Sequence, residues 1–530
     1  MQHLELKRGE VSADLFSYKY FPYELRLAVR EVERLVGVTP SRTSCGFRFS
    51  RSGVDAETLS RLTYFKRLVL ADGTVVEPLQ AKLEQSAPLD NERRRQATRY
   101  SAHGFHEYKG KFNPQIVRAA QNIVALHPDA RIWDPFSGSG TSLLEALHGQ
   151  RTALGTDLNP LAVVIANAKI AALRAAPKTL MSTCEAITSE LRRLAPAFEG
   201  RSKRKLAALM SELGFQTETL PNLDYLREWF PTRVLAQLAV AFGVIDKSAA
   251  PHLRMCFRIL SSNVLRDVSW QDPADLRIRR RKDPQDNYPV LSSVAKHMQI
   301  QCERAAASRD AVGKPRGRQW AECADSRTKE GLSAEGRRYL EEGVDCVTTS
   351  PPYATALPYI DTQRLSLAAL GLLSQNEIRQ ADKALLGSRE IGKTMRLELE
   401  AELSKGTEMS TEVLNVCRRM LDAVNPETDG FRKVNTPGLV YRYFLGMGEV
   451  LSNVRKTLRR GGHALLVVGE NRTTLGGTEF AIKTPELLAS IGEGQGLECV
   501  EILPLDAYQR FSLHRQNAIT SERLVILRRP

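Results

Sequence analysis

The sequence predicts an α/β fold. It has a sheet with ligand-binding turns at the carboxyl ends of its strands, a helical insertion, an antiparallel strand pair closing the sheet and a small α+β lead segment. Three short stretches carry that prediction. Residues 344–348 read as a buried strand that stops at Thr349 and Ser350-Pro351-Pro352-Tyr353, because two successive prolines cannot continue a ladder. Residues 131–141 are a strand running into a Gly-rich turn, Asp134-Pro135-Phe136-Ser137-Gly138-Ser139-Gly140-Thr141, with a helix expected over 142–149. Residues 153–157 are another short strand, ending in Asp157. Sheets of this class place their ligands just outside the carboxyl ends of the strands.

Each stretch has the composition of a binding turn. Gly138 and Gly140 let the backbone approach a ligand closely, and the helix that follows offers free N–H groups at its start. An acid about 20 residues beyond such a turn binds a ribose diol in nucleotide-binding sheets. In the Ser-Pro-Pro-Tyr stretch a hydroxyl, stiffened backbone carbonyls and an aromatic face lie within four residues. That set suits holding a planar base by its amino group and stacking on its ring.

Taken in order, residues 1–95 form the lead segment. Helical period over 23–36 puts Leu25, Ala28, Val32 and Leu35 on one face, and 64–70 and 74–77 flank Ala71-Asp72-Gly73 as a hairpin. Residues 96–175 are the first part of the sheet domain. Residues 176–312 are a helical insertion, with a helix expected over 251–270. It carries Arg266 and the run Arg277-Ile278-Arg279-Arg280-Arg281-Lys282, which makes it the candidate nucleic-acid-contacting region. Residues 313–372 return to the sheet, with a strand and turn over 320–326, the 344–353 strand and turn, and a helix over 359–372. Residues 373–435 are a second helical insertion. Residues 436–530 finish the sheet with a helix over 441–458 that stops at Gly461-Gly462, a buried strand over 463–469, and a closing pair, 498–503 and 523–527.

Composition narrows the partners. The chain has 530 residues, 42% of them hydrophobic, enough for a full core. A formal charge of +14 favours a polyanionic partner, since released counterions drive binding. Eight cysteines without a Cys-x-x-Cys pair read as core residues of a reducing compartment rather than a zinc site or a disulfide frame. His103 and His106 have no acid or cysteine cluster beside them in the sequence, so no metal is expected. No apolar run approaches the ~18 residues of a spanning helix and the opening residues are not a signal peptide, so the expectation is a cytoplasmic protein with no membrane partner.

Together these motifs resemble those of the amino-methyltransferases that use S-adenosylmethionine. Residues 134–141 look like their cofactor loop, Gly155-Thr156-Asp157-Leu158-Asn159-Pro160 like their ribose-binding turn, and Thr349-Ser350-Pro351-Pro352-Tyr353 like their catalytic motif. The resemblance implies a Rossmann-like methyltransferase sheet. It also implies S-adenosylmethionine as cofactor, held by Phe112, Pro114, Asp134, Phe136, Gly138, Gly140, Thr141, Asp157, Leu158, Asp325 and Ser326. Phe112 and Pro114 would pack on its methionine end, and Asp325 would accept from its adenine amino group. Catalysis would fall to Ser350, Pro351, Pro352 and Tyr353, acting on a base flipped out of double-stranded DNA, with Arg266, Arg277, Arg279, Arg280 and Arg281 against the DNA. A companion restriction nuclease is compatible with such an enzyme.

Serine at position 350 is more usual in enzymes that methylate the exocyclic N4 of cytosine, and many adenine-N6 enzymes have aspartate there. Three alternatives stay open: adenine-N6 methylation of DNA, guanine-N2 methylation of tRNA, whose enzymes the lead segment faintly resembles, and a non-catalytic module that binds cofactor and nucleic acid. One departure concerns target reading. Related enzymes commonly insert their target-reading domain after the Asp325-type turn, whereas most of the insertion here precedes it.

Overall fold

The computed structural model describes residues 9–50, 53–85, 96–198, 203–275, 279–354, 360–405, 409–505 and 522–530. The lead segment is an antiparallel sheet with one long helix. Strands β1 (Glu10–Leu15), β2 (Ser41–Arg42), β3 (Gly46–Ser50), β4 (Phe65–Leu70) and β5 (Val75–Val76) lie in the order β2-β3-β1-β4-β5. The expected hairpin joins β4 to β5 through Gly73, whose φ of 82° suits the left-handed turn. The helix Pro22–Val36 also forms, but its buried face differs from the periodic reading. Tyr23, Leu27, Ala28, Glu31 and Val32 point inward, while Leu25 and Leu35 are half-buried. The cause is Glu31. Its carboxylate is turned inward to accept from the Thr63 hydroxyl at 2.5 Å and from Asn122 Nδ2 at 2.6 Å. Asn122 lies on the helix Pro114–Ile123, so this acid also fastens the lead segment to the sheet domain. Arg30 adds a two-pronged pair with Glu501 at 2.8 and 2.7 Å.

The main sheet has seven strands: β6 (Arg131–Asp134), β7 (Thr152–Asp157), β8 (Gln319–Cys323), β9 (Val344–Thr349), β10 (Leu458–Gly469), β13 (Glu498–Leu505) and β14 (Glu522–Arg528). A separate hairpin, β11 (Asn471–Leu475) and β12 (Thr478–Ile482), follows β10. The order is β13-β14-β10-β9-β6-β7-β8, and β8, β7, β6, β9 and β10 pair in parallel. The closing strands are not simply added at the edge. β14 slots between β10 and β13, antiparallel to both, which leaves β13 parallel to the rest. This is a Rossmann-like methyltransferase sheet. Strand order reverses between β6 and β9, so their carboxyl ends, Asp134 and Thr349, flank the crevice where such sheets bind ligands.

The first insertion is a helical layer. Helices Pro177–Leu194, Thr232–Ser248, Pro251–Ser262 and Val290–Val312 pack together beside Pro160–Arg174, the helix that follows β7 and covers β7 and β8. The helix expected over 251–270 ends at Ser262. The Ser261 and Ser262 hydroxyls bond back to the carbonyls of Phe257 and Ile259, at 3.0 and 2.9 Å, and turns follow. Serines that bond back in this way weaken a helix. The second insertion packs helices Lys393–Lys405 and Thr411–Ala423 against the long helix Thr436–Thr457, while its first helix, Gln375–Ala384, packs against Arg364–Ala369. The helix expected over 359–372 is the shorter Arg364–Ala369, and Tyr359 lies outside the described residues. No single described helix is long and apolar enough to cross a membrane.

Candidate cofactor and catalytic site

The Gly-rich loop turns sharply at the carboxyl end of β6. Gly138 has φ 46° and Gly140 φ 81°. A Cβ on Gly138 would lie 3.1 Å from the Tyr108 ring, and one on Gly140 would lie 2.7 Å from Ala166 Cβ. So Gly140 lets the helix Thr141–His148 lie against Pro160–Arg174, and Gly138 makes room for an aromatic wall of the crevice. Asp134 is fully buried beneath the loop and accepts from the Phe136 N–H at 3.1 Å. Burial pushes its carboxyl up to about 6, against the opposing pull of the Thr349 and Ser142 hydroxyls. Asp157 accepts from Gly138 N–H and Asn159 N–H, each at 2.8 Å. Burial raises it to about 6 as well.

A cleft opens at this point, with about 810 Å³ of free space that merges with open solvent. Phe112, Phe136, Gly138, Thr141, Asp157, Leu158, Asp325, Ser326, Ser350 and Pro352 all line it. Pro114, Asp134, Gly140, Pro351 and Tyr353 are not part of its lining: Pro114 starts a buried helix, Asp134 and Gly140 shape the loop from behind, and Pro351 is buried. The Ser137 and Ser139 hydroxyls line the cleft too. They are buried and have no hydrogen-bond partner among the described residues, as expected of groups that meet a polar ligand. The unpaired Ser137 and Ser139 hydroxyls and the acid on β7, beside a loop whose Gly138 carries no side chain into the cleft, fit S-adenosylmethionine. Asp325 is less open than expected, because both its oxygens accept from Arg327, at 2.7 Å for the closest contact. Arg327 also donates to the Ala384 carbonyl at 3.1 Å. The sequence did not single out Arg327, Leu385 or Leu386, which complete the lining from the second insertion's side. Nothing in their residue types marked them; only the fold brings them there.

The catalytic candidates sit at the end of β9. The Ser350 hydroxyl donates to the Val467 carbonyl of β10 at 2.9 Å, which leaves its oxygen lone pairs to accept from another group. The Tyr353 hydroxyl donates to Glu522 at 2.9 Å. A Cβ on Gly387, where φ is 81°, would lie 2.5 Å from the Tyr353 carbonyl oxygen, so the second insertion closes directly onto this turn.

Two other groups read differently in three dimensions. His103 does have an acid beside it: His103 and His148 both meet Glu145 Oε1, at 2.9 and 3.2 Å, in a buried group with the ligand types of a metal site. That oxygen also accepts from the Tyr100 hydroxyl at 2.8 Å, and Arg118 takes Oε2 at 2.6 Å, which ties the 101–104 turn to the helix behind the Gly-rich loop, while His103 Nδ1 is buried with no hydrogen-bond partner among the described residues. The arginines of the first insertion are also held. Arg266 donates to the carbonyls of Pro273 and Asp275, and Arg281 to those of Gln271, Arg266 and Asp267. Arg280 lies between the rings of Trp229 and Trp270, 5.5 and 5.4 Å from their centres. Arg279 is exposed, paired with Asp275 at 3.3 Å, and Arg277 lies outside the described residues.

No family model matches the chain. It is similar to the type II methyltransferase M.MvaI of Kocuria varians, 24% identical over 304 residues that cover 55% of this chain and 63% of that protein. It is also similar to the type II methyltransferase M.MjaII of Methanocaldococcus jannaschii, 34% identical over 96 residues, 18% of this chain and 17% of that one. Both of these similar proteins are type II methyltransferases. The chain spans less than two thirds of the length of these relatives.

Proposed function

We propose that this chain methylates DNA, transferring a methyl group from S-adenosylmethionine to the exocyclic N4 of cytosine. The observation that carries the reading is that Ser350 and Pro352 open onto the same cleft as Gly138 and Asp157. A turn suited to an amino group and a pocket suited to a nucleoside-like cofactor thus share one space. The similarity to type II methyltransferases supports methyl transfer, and serine in the first position of the motif supports the cytosine-N4 assignment.

An exocyclic amino group is a poor nucleophile because its lone pair is conjugated into the ring. Ser350, with its own hydrogen on Val467, accepts one N–H of the target amine, and the Pro351 carbonyl accepts the other. These two acceptors draw the nitrogen toward tetrahedral geometry. S-adenosylmethionine, when bound, supplies an electrophilic methyl group on a positively charged sulfur. The cleft residues hold the two reactants in line, which replaces a bimolecular encounter. Tyr353 stacks on the extruded base and offsets the few kcal/mol of unpairing.

The test is mass spectrometry of nucleosides from DNA treated with the protein and methyl-labelled S-adenosylmethionine. N4-methylcytosine is the expected product. N6-methyladenine would overturn the base assignment, and methylguanosine in tRNA would overturn the nucleic-acid class.

A further inference from the structure

The two polar side chains of the Ser-Pro-Pro-Tyr turn are tied to different strands. Ser350 bonds to Val467 on β10. Tyr353 bonds to Glu522, the first residue of β14, whose cross-strand partner is Gly469 at the end of β10. Glu522 therefore stands on the same rim of the sheet as the turn. Burial raises its carboxyl above the usual range, opposed by the Tyr353 hydrogen bond, and its charge is felt by Tyr23 of the lead segment. Stacking on a base needs only the ring, because every base offers a π-face. A phenylalanine would stack as well. The hydroxyl at 353, bonded to a half-buried carboxyl, is thus unexplained by stacking alone.

We propose that Glu522 is a positioning residue that holds the Tyr353 ring in the plane receiving the target base. The residue is held at its backbone and at the tip of its ring. Gly387 closes on the Tyr353 carbonyl at the near end, and Glu522 fixes the hydroxyl at the far end. Glu522 then governs capture of the base, while Ser350 governs the transfer step. The proposal rests on the reading of this turn as the catalytic motif of a base-flipping methyltransferase.

The experiment compares Tyr353→Phe, Glu522→Ala, Glu522→Gln and the double variant Tyr353→Phe/Glu522→Ala with the full-length wild type. The wild type is first used to map the methylated site. Kinetics are then measured on a duplex oligonucleotide carrying that site, and base extrusion is followed by 2-aminopurine fluorescence at the target position. Loss of a well-held stack should raise KM for the duplex about tenfold in Tyr353→Phe and Glu522→Ala, with kcat changed by less than about threefold. The double variant should be no worse than either single one, because both remove the same bond. Glu522→Gln, which keeps an acceptor, should restore KM and the fluorescence change. Additive losses in the double variant, or a glutamine as damaging as alanine, would overturn the proposal. An active wild type whose variants behave normally overturns it alone. A wild type that methylates no DNA overturns the catalytic reading and this proposal with it. If Glu522→Ala fails to fold, Tyr353→Phe, which keeps the ring, decides the matter.

Discussion

Replacing Ser350 by alanine removes one acceptor at the target amine and leaves the Val467 carbonyl without its hydroxyl partner. We expect kcat to fall about a hundredfold, the scale of losing one group aimed at the transition state, with cofactor affinity intact by calorimetry. A weakened cofactor with normal turnover would move Ser350 into the cofactor site instead. Asp157 gives a pH test. Its raised value means that it protonates as pH falls through about 6, and a neutral carboxyl accepts more weakly. Cofactor affinity should be flat above pH 7 and decline below about 6, and Asp157→Asn should abolish that dependence. Unfolding does not mimic this loss. Between the ordinary aspartate range and about 6 the native state binds more protons at Asp134 and Asp157 than the unfolded chain, so these two groups favour folding as pH drops. At this scale the sequence placed Gly138, Asp157 and Ser350 in turns at strand ends, and the structure brings all three to one cleft. Arg327 was not readable, since arginine beside an acid in a turn looks the same wherever it lies.

Among elements, the basic run of the first insertion separates into two kinds of arginine. Arg280→Ala removes a cation held between two tryptophan rings and should lower stability by about 1 kcal/mol in chemical denaturation. Arg279→Ala should leave stability unchanged. If the loop meets DNA, this substitution should lower the salt slope of binding by about 0.9 log–log units, one phosphate contact. An unchanged slope would make Arg279 a solvated side chain. Composition revealed the charge, but whether a guanidinium faces solvent or its own loop depends on carbonyls brought together by the turn at 263–275. The Gly-rich loop carries a further test. Gly140→Ala must fit a Cβ 2.7 Å from Ala166 at a φ of 81°, and should cost at least about 2 kcal/mol in denaturation midpoint measurements. Ala166→Gly in the same chain should recover only part, since the backbone strain stays. The helix after the Gly-rich turn was legible in the sequence; its contact with Pro160–Arg174 at Gly140 was not.

Across the molecule, the lead segment is held by one buried and one half-exposed acid. Asn122→Ala takes a donor from Glu31, which is fully buried and raised to about 7, and should cost about 2 kcal/mol. Arg30→Ala, at a pair open to water, should cost less than about 1 kcal/mol. Equal losses would show that the buried acid is not the main fastening. Only the β4–β5 hairpin of the lead sheet was legible, β1 to β3 were not, and its docking depends on Glu31, a residue that periodicity assigned to no inner face. The strand order has a consequence for biogenesis. β9 lies between β6 and β10, yet nearly two hundred residues separate the end of β7 from the start of β9. At roughly 5–20 residues per second, a ribosome leaves the open flank of β6 without its neighbour for about 10–40 seconds. An unpaired flank of that kind templates association with other chains. During translation the helical layer after Asp157 is the first partner to emerge, so it would serve as a scaffold for the half-made sheet before any ligand is in reach.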